Sequence, residues 1–390
     1  MDQAKPRKHI KNRKKDRIRM FSIRSGIDLP FLGIVLLLVV IGLVMMFSAS
    51  FAYARYNVGD SYYFIKQQSI FAVLGVAAML VISFFDYRVL HKSKWVYLGL
   101  LLSYVLLVIV LFMPARNGAK RWINLGSGTF QPSEITKFVL VMVYAHLMSI
   151  NYNKMGKFTT GILPYILIFG STAALLILEP HLSCIMIMFM LTVFMLWVGG
   201  VKKRWFLILG VVLAAVLYVA LFTDLVPYAG GRIDVWRDPF GYPDKDLSHQ
   251  TRQSLYAISS GGFLGVGLGN SRQKYLYLPE PQNDFIFAII CEELGFVGAV
   301  IIMVIFALLI WRGFVIALHA PDRFGCLLGM GLTAQVGLQV ILNICVVTNS
   351  LPNTGISLPF FSYGGTSLCM LLAEMGLILS ISRSSKMEKS

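Results

Sequence analysis

The feature that most constrains this chain is a succession of apolar runs, each about 20 residues long, separated by short polar or basic stretches. Backbone in hydrocarbon has no water to bond, so each run must close its own hydrogen bonds as a helix. About ten such spans are expected. They run near Leu29–Ala52, Gln67–Phe85, Trp95–Met113, Ser133–Ile150, Thr160–Leu178, Leu182–Gly199, Trp205–Phe222, Asp284–Trp311, Phe324–Thr348 and Tyr363–Ile381. With 57% hydrophobic and 14% charged residues, the chain has too little polar surface for a water-soluble globule of this size. The expected fold is an all-α polytopic membrane protein.

Charge sets its orientation. The net charge of +16 is concentrated in the opening MDQAKPRKHIKNRKKDRIRM and in alternate loops. A basic tail before a first span holds that end in the cytoplasm against anionic lipid, and this reading is preferred to a nucleic-acid arm. No nucleic-acid partner is assigned. The following apolar run is full-length and lacks a small-residue cleavage site, so the tail is not a cleavable signal peptide. The inside loops then hold Arg88, Lys92 and Lys94; Lys154 and Lys157; Lys202, Lys203 and Arg204; and Arg312 and Arg323. Three regions follow: a cytoplasmic tail over 1–27, a ten-helix domain over 28–382 and a C-terminal cytoplasmic tail over 383–390. The large extracytoplasmic loop, 223–283, lies between the seventh and eighth helices. The five cysteines are single residues in or beside spans, without metal or disulfide spacing.

Two outer loops depart from this logic. In ARNGAKRWINLGSGTFQPSEITK, Arg116, Lys120 and Arg121 place positive charge where the positive-inside rule does not ask for it. Pro132 opens a helix, with Ser133 and Glu134 in its first turn. Glu134 and Lys137 share one helix face. They form either a capped start with an ion pair or part of an anion-binding mouth built for phosphate. The second loop, 223–283, is too long for a plain connector. Its Leu247–Ser259 stretch reads as an amphipathic helix at the interface. Its GxGxGN run follows no strand, so its glycines serve close packing rather than a dinucleotide.

That loop ends in LPEPQNDFIFAIICEELG, where Asp284 meets an apolar span. Asp284 either caps that helix or is a base whose pKa is raised by Phe285, Phe287 and the like charge of Glu292. Further on, Pro352, Gly355 and Pro359 interrupt NICVVTNSLPNTGISLPFFSYGGTSL, and broken backbone at membrane depth belongs beside protein or a wet cavity.

These stretches together resemble the SEDS family (shape, elongation, division and sporulation), which includes FtsW, RodA and SpoVE. The match runs through NGAKRWINLG…FQPSEITK, SSGGFLGVGLGNSRQKYLYLPEPQNDFIFAIICEELGFVGA and LPNTGISLPFFSYGGTSL, in order, over nearly the whole chain. The NGAKRW form is closer to FtsW and SpoVE than to RodA. The resemblance implies a ten-helix peptidoglycan glycosyltransferase that polymerises lipid II outside the cytoplasmic membrane, at the division septum or in sporulation. It implies Asp284 as the catalytic residue and Glu134 and Lys137 as cavity-lining residues. It also implies a class B penicillin-binding protein as transpeptidase partner, with other divisome or cell-wall proteins and membrane lipid around it. Where many relatives have Gln-Pro-Asp-Leu-Gly, this chain has Glu179-Pro180-His181-Leu182-Ser183, so no catalytic role is carried onto that turn.

The chemistry suits these residues. Glycan growth joins a sugar 4-hydroxyl to the anomeric carbon of a lipid-linked sugar and displaces a polyprenyl pyrophosphate. It needs a base, Asp284, and groups for the substrate, expected among Arg116, Lys120, Arg121, Gln131, Ser133, Glu134, Lys137, Ser362, Tyr363, Gly364 and Gly365. A divalent cation, Mg or Mn, is compatible with the pyrophosphate, but no residues are assigned as metal ligands. The rival readings are a lipid II flippase or transporter, which needs polar groups through both leaflets, and a non-catalytic scaffold for the transpeptidase. The ionisable residues crowd the outer end, which favours the polymerase.

Overall fold

The computed structural model describes residues 26–114, 119–124, 129–208, 210 and 227–385. The basic tail up to Ser25, Arg116 and most of the expected seventh span lie outside the described residues. The chain runs through α1 (Leu29–Asn57), α2 (Tyr63–Phe84) and α3 (Ser93–Leu111), then a hairpin of β1 (Ile123–Asn124) and β2 (Thr129–Phe130). It continues through α4 (Pro132–Ile150), α5 (Leu163–Leu178), α6 (Leu182–Val198), α7 (Pro227–Arg237) and α8 (Lys245–Gly261). The last helices are α9 (Ile286–Leu318), α10 (Arg323–Val347) and α11 (Gly365–Ser384). The two strands pair antiparallel with Ile123 opposite Phe130.

Among the described residues, seven helices are long and apolar enough to cross a membrane, and α5 and α6 are shorter apolar helices. These nine coincide with nine of the spans expected from sequence. The chain is a multi-pass helical membrane protein. The windows of α4 and α10 are 67% and 72% buried, against 28% for α2 and 22% for α3, so α4 and α10 form the centre. Outward side chains such as Val73, Leu101, Ile301 and Val304 are bare. In water such apolar area costs about 25 cal/mol per Å²; against lipid it costs almost nothing.

The helix boundaries have local causes. Pro132 lies in the first turn of α4, where its missing N–H leaves no bond unmade. Asp28 caps α1 by accepting from the Phe31 amide at 3.0 Å. It also pairs with Arg312 at 2.9 Å, both groups buried. Arg312 was expected in a cytoplasmic loop. Neutralised by Asp28, it lies inside α9, and that helix continues to Leu318, beyond the expected end at Trp311.

Within 227–283 the amphipathic segment is helical, with one face against the bundle. α8 packs along α9 and buries Thr251, Ser254 and Ala257. Ser254 Oγ donates to the Val347 carbonyl at the end of α10 at 2.8 Å. The glycine-rich run then meets a break in α9. Gly295 adopts φ 66° and ψ −169°, which only glycine takes up readily. The freed backbone groups bond across to the loop. Val266 and Gly267 donate to the carbonyls of Glu292 and Glu293 at 3.0 Å, and Phe296 and Val297 donate to Gly262 and Phe263 at 3.0 and 3.2 Å. The loop leading to Asp284 is therefore stitched into the helix that follows it.

Candidate active site

Asp284 stands in the turn just before α9. It does not cap that helix: the cap position is Phe285, with no side-chain cap bond. The turn is held from three sides. Asn343, buried on α10, donates its Nδ2 to the Asp284 carbonyl at 2.8 Å and to the Ile356 carbonyl at 2.6 Å. Ser362 Oγ donates to the Asn283 carbonyl at 2.6 Å, and the Tyr363 amide donates to the Gln282 carbonyl at 2.8 Å. The carboxylate faces a cleft lined by Arg121, Pro180, Leu182, Ser183, Arg232, Gln250, Asn353, Thr354 and Gly355. Gly355 has φ +70°, and a Cβ there would come within 3.0 Å of Asp284 Oδ2. Only glycine lets the backbone approach the carboxylate so closely.

Burial pushes the Asp284 carboxyl up to about 6, Glu280 adds to the rise, and Arg121 and Arg232 oppose it. The like charge expected from Glu292 comes instead from Glu280. Glu292 is turned into the preceding loop, where it accepts from Ser271 Oγ and from the Arg272 amide at 2.9 Å. Glu293 likewise pairs with the buried Lys274 at 2.9 Å and accepts from Ser48 Oγ at 2.7 Å. These two carboxylates anchor the segment that carries Asp284.

The other expected residues fall into three groups. Arg121 reaches the cleft and donates to the Pro180 carbonyl. Gln131, Ser133, Glu134 and Lys137 start α4. There Lys137 is buried and pairs with Glu134 at 2.9 Å, and Gln131 Nε2 lies 3.5 Å from His181 Nε2. The remaining residues are not in the lining of that cleft. Lys120 is exposed and donates to the Leu111 carbonyl at 3.0 Å. Tyr363 donates its hydroxyl to Gln67 at 2.5 Å, the Gly364 amide donates to Gln68 at 3.2 Å, and a Cβ on Gly365 would strike the Phe71 ring. Ser362 to Gly365 thus brace the Asp284 turn against α2.

The sequence reading missed Arg232. It comes from α7, donates to the Asn353 carbonyl at 2.5 Å and lines the cleft with Arg121. The one signal available was an arginine in an outer loop that had no topological need for it. Among the described residues no group of three or more His, Cys, Asp and Glu side chains is placed to hold a metal ion.

A lipid-facing helical bundle with a carboxylate and two guanidinium groups in one cleft defines a membrane protein equipped for acid–base work beside an anion. A family model described as a cell cycle protein, FtsW/RodA/SpoVE, matches residues 29–387, and the chain belongs to that family. It is 40% identical over 377 residues to stage V sporulation protein E of Bacillus subtilis (strain 168), covering 94% of this chain and all of that one. It is 37% identical over 362 residues to the "Probable peptidoglycan glycosyltransferase FtsW" of Geobacter sp. (strain M18), covering 92% and 97% of the two chains. Among solved structures, a chain of a peptidoglycan synthase complex that coordinates polymerization and crosslinking superposes with a TM-score of 0.76 at 28% identity, covering 92% of this chain and 98% of that one. The rod shape determining protein RodA of Thermus thermophilus superposes with a TM-score of 0.66 at 25% identity, covering 93% and 98%.

Proposed function

We propose that this protein is a peptidoglycan glycosyltransferase that polymerises lipid II on the outer face of the cytoplasmic membrane, with Asp284 as general base. The observation that carries this reading is the cleft itself, where the Asp284 carboxylate stands among Arg121 and Arg232. Asp284 takes the proton from the 4-hydroxyl of the acceptor sugar as that oxygen bonds to the anomeric carbon of the donor. The bond from that carbon to the polyprenyl pyrophosphate breaks, and its electron pair leaves with the pyrophosphate. Arg121 and Arg232 stabilise the charge that develops there. Lys137 adds positive charge behind the cleft wall. The lipid tails lie along the bare apolar faces of the bundle, in the bilayer. A divalent cation, Mg or Mn, on the pyrophosphate would act with these groups. A class B penicillin-binding protein is the partner that crosslinks the product, at the division septum or during sporulation. Glycan formation from purified lipid II by the purified protein, alone and with that transpeptidase, tests the reading; no polymer in either case would overturn it.

The pH dependence follows from Asp284. A base works when ionised, and this carboxyl titrates near 6 rather than in the usual carboxylate range. Polymerisation is therefore expected to reach a plateau above about pH 7 and to fall about tenfold per unit below about pH 6. An acid limb centred near pH 4 would show that the base is a different carboxylate.

In this reading both termini are cytoplasmic and the 223–283 segment is external. Arg237 is exposed at the end of α7. Arg237→Cys, in a background without the five native cysteines, should react with a membrane-impermeant maleimide in intact spheroplasts. Reaction only after permeabilisation would reverse the topology.

A further inference from the structure

The turn between α5 and α6 has so far been only a wall. Glu179 and His181 are 1% and 7% exposed. Each holds a polar atom without a partner among the described residues: Glu179 Oε1 and His181 Nδ1. Such atoms are costly when buried unless something bonds them. The surroundings say what that is. His181 occupies the cap position of α6 and Gln131 that of α4, and neither side chain caps its helix, so two helix starts lie here with amides not covered by a side-chain cap. Lys137 and Arg121 both act on the imidazole. The facing groups are Arg121 from the outer hairpin segment, Glu134 and Lys137 from α4, and Cys184 from α6. Apart from Glu179, the acidic partner among them, Glu134, is already paired with Lys137.

Resting on the function proposed above, the geometry points to a phosphate seat between the starts of α4 and α6, in which Glu179 and His181 donate hydrogen bonds to pyrophosphate oxygens. Gln131 Nε2 lies 3.5 Å from His181 Nε2, and an amide nitrogen turned to that atom leaves the ring proton on Nδ1. Burial, with Arg121 and Lys137 adding to it, holds the imidazole well below its ordinary pKa. Burial pushes the Glu179 carboxyl up to about 8, with Arg121 opposing. Both groups are therefore uncharged donors at neutral pH. No proton is transferred on binding. Above about pH 8 the ionised Glu179 becomes an acceptor and repels the anion.

Binding of inorganic pyrophosphate to the purified full chain, measured from pH 6 to pH 9.5, tests this. Glu179→Gln keeps the shape and a donor but cannot ionise. The ionisation of the probe is common to both proteins, so the ratio of their affinities is read. Relative to the variant, wild-type affinity should fall about tenfold between pH 7 and pH 9. His181→Ala should lower affinity about tenfold at every pH. It also serves as the second variant if Glu179→Gln does not fold. Parallel pH profiles for wild type and Glu179→Gln, or unchanged affinity in His181→Ala, would overturn the seat. Wild-type protein that binds pyrophosphate in this manner yet makes no glycan with its partner would uphold the seat and overturn the polymerase reading.

Discussion

Asp284→Asn should leave a folded, membrane-inserted, partner-binding protein whose glycan synthesis is reduced by about 10²–10⁴-fold, the usual contribution of a general base. The substitution keeps the volume of the side chain. It leaves the turn intact, because that turn is held through the backbone carbonyls of Gln282, Asn283 and Asp284 by Tyr363, Ser362 and Asn343. A capping aspartate would behave differently, since its loss to alanine costs about 1 kcal/mol of stability. Here α9 starts without a side-chain cap, so Asp284→Ala should leave thermal stability nearly unchanged while abolishing the base. Chain formation from lipid II, measured beside thermal unfolding, separates the two roles. Normal polymer from a stable Asp284→Asn protein would place the base elsewhere.

The parts that sequence could reveal are those with a local cause. A run of apolar residues as long as the hydrocarbon is thick has one solution, so nine expected spans coincide with helices among the described residues. Pro132 and the polar first turn after it mark the start of α4 without tertiary information. Arg312 was misplaced because its partner, Asp28, lies 284 positions away in sequence, and one charge in a span reads as a boundary unless its counter-ion is known. Glu292 was misassigned for a similar reason. Helical spacing put it on the Asp284 face, but Asp284 stands before the first turn of α9, and the segment from Ser271 to Lys274 takes both glutamates. Pro352, Gly355 and Pro359 announced a broken backbone, and Ser362 to Gly365 were expected to meet substrate, yet only the fold shows those four bracing the Asp284 turn. Arg232 lay in a loop whose path has no periodicity to read. Motif reasoning finds the residue with the reactive group more readily than it finds the residues that position it.

Glu134 and Lys137 give the second large effect, and they require two single variants and their combination. Lys137 is 2% exposed and its partner 16%, at 2.9 Å. Removing one member of a buried pair typically costs about 3–5 kcal/mol, because the other charge is left unpaired. The two halves are unequal. Glu134→Ala leaves a fully enclosed ammonium, whereas Lys137→Ala leaves a carboxylate that still meets some water, so Glu134→Ala should be the less stable protein. The double variant Glu134→Ala/Lys137→Ala removes both charges and should recover most of the lost stability. Activity need not recover with it. If Lys137 contributes to holding the departing pyrophosphate, polymerisation in the double variant stays at least about 10²-fold below wild type, the scale of losing one preorganised donor to developing charge. If the pair only braces the start of α4 against α6, turnover returns together with the fold. Near-normal polymer from the double variant would therefore remove Lys137 from the chemistry and leave Arg121 and Arg232 as the cations at the cleft.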